Sequence, residues 1–350
     1  GENPYQKPAN LYKTTRQDLV KDDLAIKNWQ LVAGSPMSYN NFCDVDRMMQ
    51  TMTHIGAGFS AQGGPASGWE VPCVALGVKH GNACGAGVSD KEIEAIDKML
   101  QGDLRAIFGG SVMLNFPVDE KIAEELIHKY SKNNRRLLDV VSAPSFSPEA
   151  VEILSRKKGK CRLLANSAIL KAGLASLDTT KRFRYVRGGF MEQPNYTFVP
   201  DMSKAAFDTE ILRSVVLAWA VGCTSNSNTI TLVKDGRLVG NGVGQQDRVG
   251  AAKLAIFRAD EAKIFASNLV VGVPSGTPTT KSADLENAVA YSDSFFPFPD
   301  AVEVLLDRGI KTIFSTSGSV NDQKIVELCK NRGINLIILP DKEVRGFYQH

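Results

Sequence analysis

Short apolar segments of strand length alternate with amphipathic helical segments from Val71 to the end of the chain. This alternation is typical of α/β folds, in which helices cover the faces of a sheet. The residues before Val71 lack the pattern, and we expect hairpins and loops there. The elements predicted for the first half are strands at 71–79, 106–114 and 138–142, a helix begun by a Ser89 to Glu92 capping box, a helix at 118–130 and a helix begun by Ser147-Pro148.

A stretch rich in Gly, Pro and Asn at 188–202 interrupts the pattern, so we place a domain boundary there and divide the chain into 1–195 and 196–350. The two halves could be copies of one fold, although no sequence period supports this. The elements predicted for the second half are helices at 212–221, 246–263 and 301–308, a hairpin of 229–233 and 238–242 turned at Asp235-Gly236, a strand near Val289, and a final strand, helix and strand ending at 336–339.

Composition limits the class of protein. With 350 residues and 43% hydrophobic content the chain can bury one large or two medium cores. A net charge of +3 does not indicate a nucleic-acid or membrane-surface binder, and no apolar run approaches the roughly 20 residues of a membrane span. The first residues lack the features of a secretory signal, so we expect a cytoplasmic protein. We therefore also expect its six cysteines to be reduced and mostly structural.

The strongest local candidate for chemistry lies at 78–85, where a buried strand ends in a Gly-rich turn. We expect this turn to lead into a helix, because ligands of α/β proteins bind at such strand ends. Lys79 and His80 would face opposite sides of an extended chain unless the turn redirects one of them. A proton carrier beside a cation suits a developing oxyanion, but a surface lysine and a capping histidine are equally compatible with this motif alone.

Three other polar or Gly-rich segments carry weaker signals. The turn at 242–248 follows a hairpin and lacks the third Gly of a dinucleotide fingerprint, and the loop at 276–282 lacks the second Gly of a phosphate loop. The segment 224–229 is a run of small polar residues typical of a turn. The zinc-deaminase signature is absent, since no His is followed by the required Glu and no Cys pair occurs, so we expect no catalytic zinc.

The segment 292–300 combines three Phe and two Pro near a strand end. Aromatic rings there could simply fill the core. Two prolines, however, fix a rigid loop, and rigid aromatic walls suit a flat heteroaromatic ligand.

Taken in order, seven blocks of sequence resemble the AICAR transformylase family across essentially the whole chain. They are the opening Gly-Glu-Asn-Pro, Lys79-His80-x-Asn82, Phe108-Gly109-Gly110, Asp139 with Ala143-Pro144, Asn228, Gly244-Gln245-Gln246-x-Arg248, and Ser292-Asp293-x-Phe295-Phe296-Pro297-Phe298-x-Asp300. The ending at 345–350 is also similar to that of the family. The IMP cyclohydrolase domain that precedes this region in the family is not in this sequence.

The resemblance implies transfer of a formyl group from the co-substrate 10-formyltetrahydrofolate to the 5-amino group of AICAR in purine biosynthesis. It implies an α/β fold of two cytidine-deaminase-like α/β/α domains without zinc. It also implies an obligate homodimer with active sites shared between the subunits, and neither a nucleic acid nor a membrane as partner. No catalytic metal is implied.

The resemblance also assigns roles to residues. The catalytic residues would be Lys79, which stabilises the oxyanion or protonates the leaving folate nitrogen, His80, which takes the amine proton, and Asn228, which orients His80 or the carboxamide. AICAR would contact Gly109, Asp139, Arg248 from the partner subunit and Phe295, with Lys158 and Arg345 on its phosphate. Folate would lie against Phe108, Val249, Pro297 and Phe298, with Asp300 accepting from the pterin amine.

Two positions depart from the family pattern, Ala83 in place of Pro and Pro299 in place of Arg. They leave open an alternative, a non-catalytic AICAR- or nucleotide-binding relative of the same fold. The resemblance also leaves open a structural potassium ion near Asp293 and a separate IMP cyclohydrolase as a partner.

Overall fold

The computed structural model describes residues 4–12, 22–62, 70–131, 135–202, 207–271 and 282–344. Its strands are β1 (Gln30–Ala33), β2 (Cys73–Lys79), β3 (Asn82–Ser89), β4 (Gly110–Leu114), β5 (Leu138–Ala143), β6 (Arg162–Ala165), β7 (Lys181–Val186), β8 (Gly189–Pro194), β9 (Ile230–Lys234), β10 (Arg237–Gly242), β11 (Val289–Ser292), β12 (Thr312–Ser317) and β13 (Asn335–Pro340). Its α-helices are α1 (Tyr39–Ala61), α2 (Glu92–Leu100), α3 (Glu120–His128), α4 (Pro148–Leu154), α5 (Thr209–Cys223), α6 (Arg248–Val271), α7 (Asp300–Leu306), α8 (Asp322–Asn331) and α9 (Asp341–Val344).

Eleven of the strands form one mixed sheet in the order β1-β6-β5-β4-β2-β3-β10-β9-β11-β12-β13. The first six belong to the first half of the chain and the last five to the second half. The two groups meet where β3 pairs with β10, through the single antiparallel register Gly87 to Arg237. Strands β7 and β8 form a separate two-stranded hairpin. The α/β class expected from the sequence is therefore confirmed.

Alternate residues of each strand enter opposite hydrophobic layers, as the two-residue period of a strand requires. In β2, Val74 and Leu76 pack into a core with α1 and α5, whereas Ala75 faces the opposite layer. The α1 and α5 layer spans both halves of the chain. On the other face, α2 to α4 cover the first half of the sheet and α6 to α8 cover the second. The result is a three-layer α/β/α arrangement.

The prediction of hairpins and loops before Val71 was wrong for residues 39–61, which form the long helix α1. The Ser38 side chain caps it by accepting from the Asn41 amide, and Asn41 Oδ1 accepts in turn from the Ser38 amide. Most of the helix is buried between the sheet and α5, so polar residues such as Gln50 and His54 lie in the interior. Those polar residues hid the amphipathic period that identifies a helix.

Several local predictions were confirmed and others were wrong in detail. Asp235 and Gly236 turn the β9–β10 hairpin with φ of 52° and 67°, the left-handed values of a type I′ turn. Ser147 caps α4, with Pro148 in its first turn. The Ser89 to Glu92 capping box does not form, since α2 is preceded by Lys91 with no side-chain cap. The strand predicted at 106–114 begins only at Gly110.

None of the helices among the described residues is long and apolar enough to cross a membrane.

Candidate functional site

Lys79 and His80 lie at the tip of the β2–β3 hairpin, which corrects the expectation that this turn leads into a helix. Lys79 ends β2 and pairs with Asn82, the first residue of β3. The two residues between them, His80 and Gly81, have φ of 53° and 72°. Such a two-residue turn with left-handed torsions is a type I′ turn. It takes His80 off the strand, so that its side chain is exposed beside the partly buried Lys79.

The Lys79 side chain is fixed by a hydrogen bond to the backbone just before the neighbouring strand β4. Its Nζ donates to the carbonyl oxygen of Phe108 at 2.8 Å. Because an ammonium group has three donors, this bond leaves other N–H groups for a ligand. The Phe108 ring is 50% exposed, so its carbonyl serves Lys79 while its ring faces outward.

Gly109 and Asp139 begin the next two strands along the same edge of the sheet. The Gly109 amide donates to the Leu137 carbonyl at 2.7 Å with φ of 72°, a torsion that favours glycine. Asp139 lies on β5 and pairs with Arg156, whose Nη1 lies 3.2 Å from its Oδ1. Arg156 was not singled out in the sequence. Lys158, two residues further, is exposed in a short 3-10 turn.

Asp44 of α1 holds the turn through hydrogen bonds. It was not identified from the sequence as a site residue. Its Oδ1 accepts from the Gly81 amide at 2.7 Å and its Oδ2 accepts from the Ser111 hydroxyl at 3.1 Å. Burial raises the pKa of the Asp44 carboxyl above its usual value, while these two hydrogen bonds and nearby His80 act in the opposite direction. Asp139 also acts on this carboxyl and raises its pKa.

A cavity of about 340 Å³ opens beside Lys79 and His80, between the diverging ends of β3 and β10. The buried Oδ1 of Asn82 has no hydrogen-bond partner in the described part of the chain. Arg258 of α6 adds a second cation to the lining. Burial raises the pKa of Cys84, another lining residue, to about 12, so its thiol stays protonated and unreactive. The cavity therefore offers polar and cationic contacts to a ligand.

Asn228 precedes β9 on the same edge of the sheet, because β10 pairs with both β3 and β9. Its Nδ2 donates to the Gln245 carbonyl at 2.9 Å, and the two residues also exchange backbone hydrogen bonds of 3.1 Å. The loop that carries Asn228 is tied to α1 through Arg47, whose Nη2 donates to Asn226 Oδ1 at 2.8 Å. The polar segment 224–229 is thus a loop fixed by hydrogen bonds. It lies beside the edge of the cavity.

Arg248 forms a buried ion pair with Asp293 of the same chain. The arginine is 7% exposed and the aspartate fully buried. Asp293 Oδ1 also accepts from the Thr229 amide at 3.2 Å, while the buried Oδ2 has no partner in the described residues. A structural potassium ion near Asp293 stays a prediction. The expectation that Arg248 enters a partner's site stays a prediction.

The aromatic segment 292–300 divides between core and surface. Phe296 is buried in the core and Phe295 is partly buried, whereas Phe298 is 59% exposed and Pro297 is exposed. The Asn321 side chain donates to the Pro297 carbonyl at 2.7 Å and fixes the loop. Asp300 is exposed at the start of α7. Core filling and an exposed aromatic wall therefore both occur here.

The predicted site residues fall into two groups on one edge of the sheet. Lys79, His80, Phe108, Gly109, Asp139 and Lys158 lie on the first half, and Asn228, Arg248, Val249, Phe295, Pro297, Phe298 and Asp300 lie on the second. Phe108 precedes β4 and Phe298 follows β11, five places apart in the strand order. At about 4.8 Å per strand this separates them by roughly 24 Å. Arg345 lies outside the described residues.

The described residues contain no group of three or more His, Cys, Asp or Glu side chains placed to hold a metal ion. All six cysteines are free thiols.

Comparison with known proteins gives two results. The model of the family described as AICARFT/IMPCHase bienzyme matches residues 1–258. Curated proteins named bifunctional purine biosynthesis protein PurH match nearly the whole chain. That of Macrococcus caseolyticus is 31% identical over 99% of this chain and 60% of the relative, that of Anoxybacillus flavithermus is 31% identical over 96% and 56%, and that of Corynebacterium glutamicum is 30% identical over 97% and 56%. The chain thus spans somewhat more than half the length of these relatives.

Proposed function

Because the chain belongs to the AICARFT/IMPCHase bienzyme family, we propose that it is an AICAR transformylase. The reaction moves the formyl group of 10-formyltetrahydrofolate to the 5-amino group of AICAR and yields FAICAR and tetrahydrofolate. The observation that carries the proposal is the type I′ turn that holds His80 beside Lys79 at the mouth of a 340 Å³ cavity. A base and a cation at one reacting centre are what this transfer needs.

The AICAR amine is a poor nucleophile, because its lone pair is delocalised into a ring that bears a carboxamide. As the amine nitrogen attacks the formyl carbon, His80 takes a proton from it and Lys79 donates to the developing oxyanion. Collapse of the tetrahedral intermediate breaks the bond from carbon to the folate nitrogen. That nitrogen takes up a proton, which Lys79 would supply. Since its Nδ2 donates to Gln245, Asn228 would orient His80 or the AICAR carboxamide through Oδ1.

We assign AICAR to the edge formed by Gly109, Asp139 and Phe295, with Arg248 contributed by the partner subunit. Lys158 and Arg345 would bind its phosphate. Asp139 is held by Arg156, which supports a fixed carboxylate for hydroxyl or amine donors of the nucleotide. The exposed position of Lys158 leaves its ammonium group available to a phosphate.

Folate would lie against Phe108, Val249, Pro297 and Phe298, with Asp300 on the pterin amine. A separation of roughly 24 Å between Phe108 and Phe298 within one chain is too long for one pterin ring to contact both. A homodimer in which Phe108 of one subunit and Phe298 of the partner subunit line the same folate site removes this difficulty. The division of the site residues therefore supports shared active sites.

The β7–β8 hairpin is the surface that we assign to this homodimer. It stands apart from the main sheet and exposes Phe183, Tyr185 and Phe190 on one face, at 57%, 69% and 73%. Tyr185 pairs with Phe190 across the hairpin, and their ring centroids lie 5.6 Å apart. Contiguous exposed aromatic surface of this kind marks protein interfaces.

The finer fold assignment follows from the same family. We infer two cytidine-deaminase-like α/β/α domains without zinc, at 1–195 and 196–350. Their support is the sheet order, which keeps the strands of each half together, and the two helical layers that each belong mainly to one half. The cytoplasmic location and a separate IMP cyclohydrolase as partner stay predictions. The alternative of a non-catalytic relative has less support, since the matched relatives are named as biosynthetic proteins.

The experiment is to mix the protein with AICAR and 10-formyltetrahydrofolate and follow tetrahydrofolate by absorbance. We expect AICAR-dependent turnover that is abolished in the Lys79→Ala, His80→Ala double variant. An exposed-site control, His128→Ala, should keep full activity, because the His128 side chain is exposed and pairs with Glu124 of its own helix. A folded native dimer without turnover would contradict the proposal and favour the binding relative.

A further inference from the structure

Helix α1 carries two charged side chains one turn apart that hold loops from opposite halves of the chain. We propose that Asp44 and Arg47 are positioning residues, which fix the His80–Gly81 turn and the loop 224–228 relative to each other. This inference rests on the proposed formyl transfer, in which His80 and Asn228 lie on those two loops. Neither Asp44 nor Arg47 has a role in the sequence resemblance.

Asp44 secures the turn that bears His80. One carboxylate oxygen accepts from the Gly81 amide at 2.7 Å, and the other accepts from Ser111 of β4 at 3.1 Å. Gly81 has φ of 72°. The bond to its amide holds the backbone in this left-handed conformation. Through these two bonds one side chain sets where the β2–β3 turn sits against α1 and β4.

Arg47 secures the other loop. Its Nη1 donates to the Thr224 carbonyl at 2.6 Å and its Nη2 donates to Asn226 Oδ1 at 2.8 Å. Its stem lies beneath Gly81, because a Cβ built on that glycine would be 3.9 Å from Arg47 Cγ. The guanidinium is buried, with the residue 7% exposed. Arg47 therefore touches both loops at once.

Asn226, which Arg47 holds, is connected to Asn228 through backbone hydrogen bonds. The Asn226 carbonyl accepts from the Gly244 amide at 2.8 Å. The next residue, Gln245, exchanges two backbone bonds with Asn228. A shift of Asn226 would therefore move Gly244, Gln245 and Asn228 together.

These side chains act through other residues, since their hydrogen bonds go to groups of the protein. A displacement of about 1 Å at a reacting group can cost on the order of 100-fold in rate. Removing either brace should therefore lower kcat, while substrate affinity, which depends on contacts spread over the whole edge, should change little. That division between kcat and KM distinguishes positioning from general loss of structure.

The first test compares Asp44→Ala with Asp44→Asn. An asparagine keeps an oxygen acceptor for the Gly81 amide, whereas alanine keeps none. We expect Asp44→Ala to lose tenfold or more in kcat with KM for AICAR and folate within about twofold, and Asp44→Asn to restore most of the rate. Asp46→Ala is the matched control, since it removes a carboxylate from the exposed side of the same helix. Equal kcat in Asp44→Ala and the native protein would overturn the proposal.

A second readout needs no activity. His80-Gly81 is the only His-Gly pair in the sequence, so protein with carbonyl-labelled histidine and nitrogen-labelled glycine gives one correlated amide signal in NMR. We expect that signal to move upfield and exchange faster with solvent in Asp44→Ala, and to stay near its native position in Asp44→Asn and Asp46→Ala. An unchanged signal in Asp44→Ala would show that Asp44 does not hold the turn. If the native protein does not transfer the formyl group, the proposed function fails. The NMR signal still shows whether Asp44 holds the turn.

Arg47→Lys tests the other loop with the charge retained. A lysine lacks the planar fork of the guanidinium, so it cannot reproduce the donation from two separate nitrogens to Thr224 and Asn226. We expect the tenfold or greater loss of kcat seen for Asp44→Ala, with a normal urea midpoint as the control for folding. A folded Arg47→Lys variant with native kcat would exclude the role assigned to Arg47.

Discussion

Replacing Arg248 by Met should destabilise the protein strongly, because it breaks a buried ion pair. The substitution keeps most of the side-chain volume but leaves Asp293, which is fully buried, without its cation. The Thr229 amide would remain as its donor at 3.2 Å. Removing one partner of a buried pair costs about 3–5 kcal/mol. We expect a loss of that size in the free energy of unfolding.

Urea unfolding at fixed protein concentration measures this loss, and a double-mutant cycle assigns it to the pair. Arg248→Met with Asp293→Leu leaves no buried charge, so the double variant should be more stable than Arg248→Met alone. Arg258→Met, on the same helix but exposed, should change stability by about 0.5 kcal/mol or less. A loss below about 1 kcal/mol for Arg248→Met would refute the buried pairing.

Three further changes have expected outcomes. Burial lowers the pKa of His54 from 6.5; the unfolded chain therefore binds the additional proton, and stability should fall below pH 6.5 by up to about 1.4 kcal/mol per pH unit. Phe298→Ala should raise KM for folate about tenfold or more and leave KM for AICAR unchanged, since an exposed ring is lost. Tyr185→Ser with Phe190→Ser should yield monomers in sedimentation and abolish turnover, because each site would lack its partner's residues.

Each of these three outcomes has a direct contradiction. His54→Gln should flatten the pH dependence of the urea midpoint, and an unchanged slope in that variant would assign the effect to other groups. A folate KM unaffected by Phe298→Ala would remove that ring from the pterin site. A hairpin variant that stays dimeric, or monomers that retain native turnover, would contradict the assigned interface or the sharing of active sites.

The sequence predicted the second half of the fold well because its signals are local. The Asp235-Gly236 turn and the apolar run that forms α5 each act within a few residues. The failure at α1 has a physical reason. Its polar residues are buried by long-range partners, as when Thr51 shares a hydrogen bond of 2.7 Å with Thr224, and no local pattern records such a partner.

The candidate site, like the fold, was predictable only where its signals in the sequence are local. Lys79 and His80 were found because they end a recognisable strand, but their supports were not, since Asp44 and Arg47 lie on the helix that the sequence did not identify. Their spacing of three residues, one helical turn, is the signal that an assigned helix would have supplied. The continuation of the Lys79–His80 turn into β3 was missed because a His-Gly pair is not among the usual signals of a type I′ hairpin.

Following the formyl carbon itself tests most directly whether the Lys79–His80 turn carries out formyl transfer. The native protein would be mixed with AICAR and 10-formyltetrahydrofolate carrying carbon-13 in the formyl group, and the nucleotide product analysed by mass spectrometry. We expect label in FAICAR from the native chain and a loss of about 100-fold or more in its rate of formation in His80→Ala. An absence of labelled FAICAR after incubation with the native protein, or equal labelling by His80→Ala, would contradict formyl transfer at this turn.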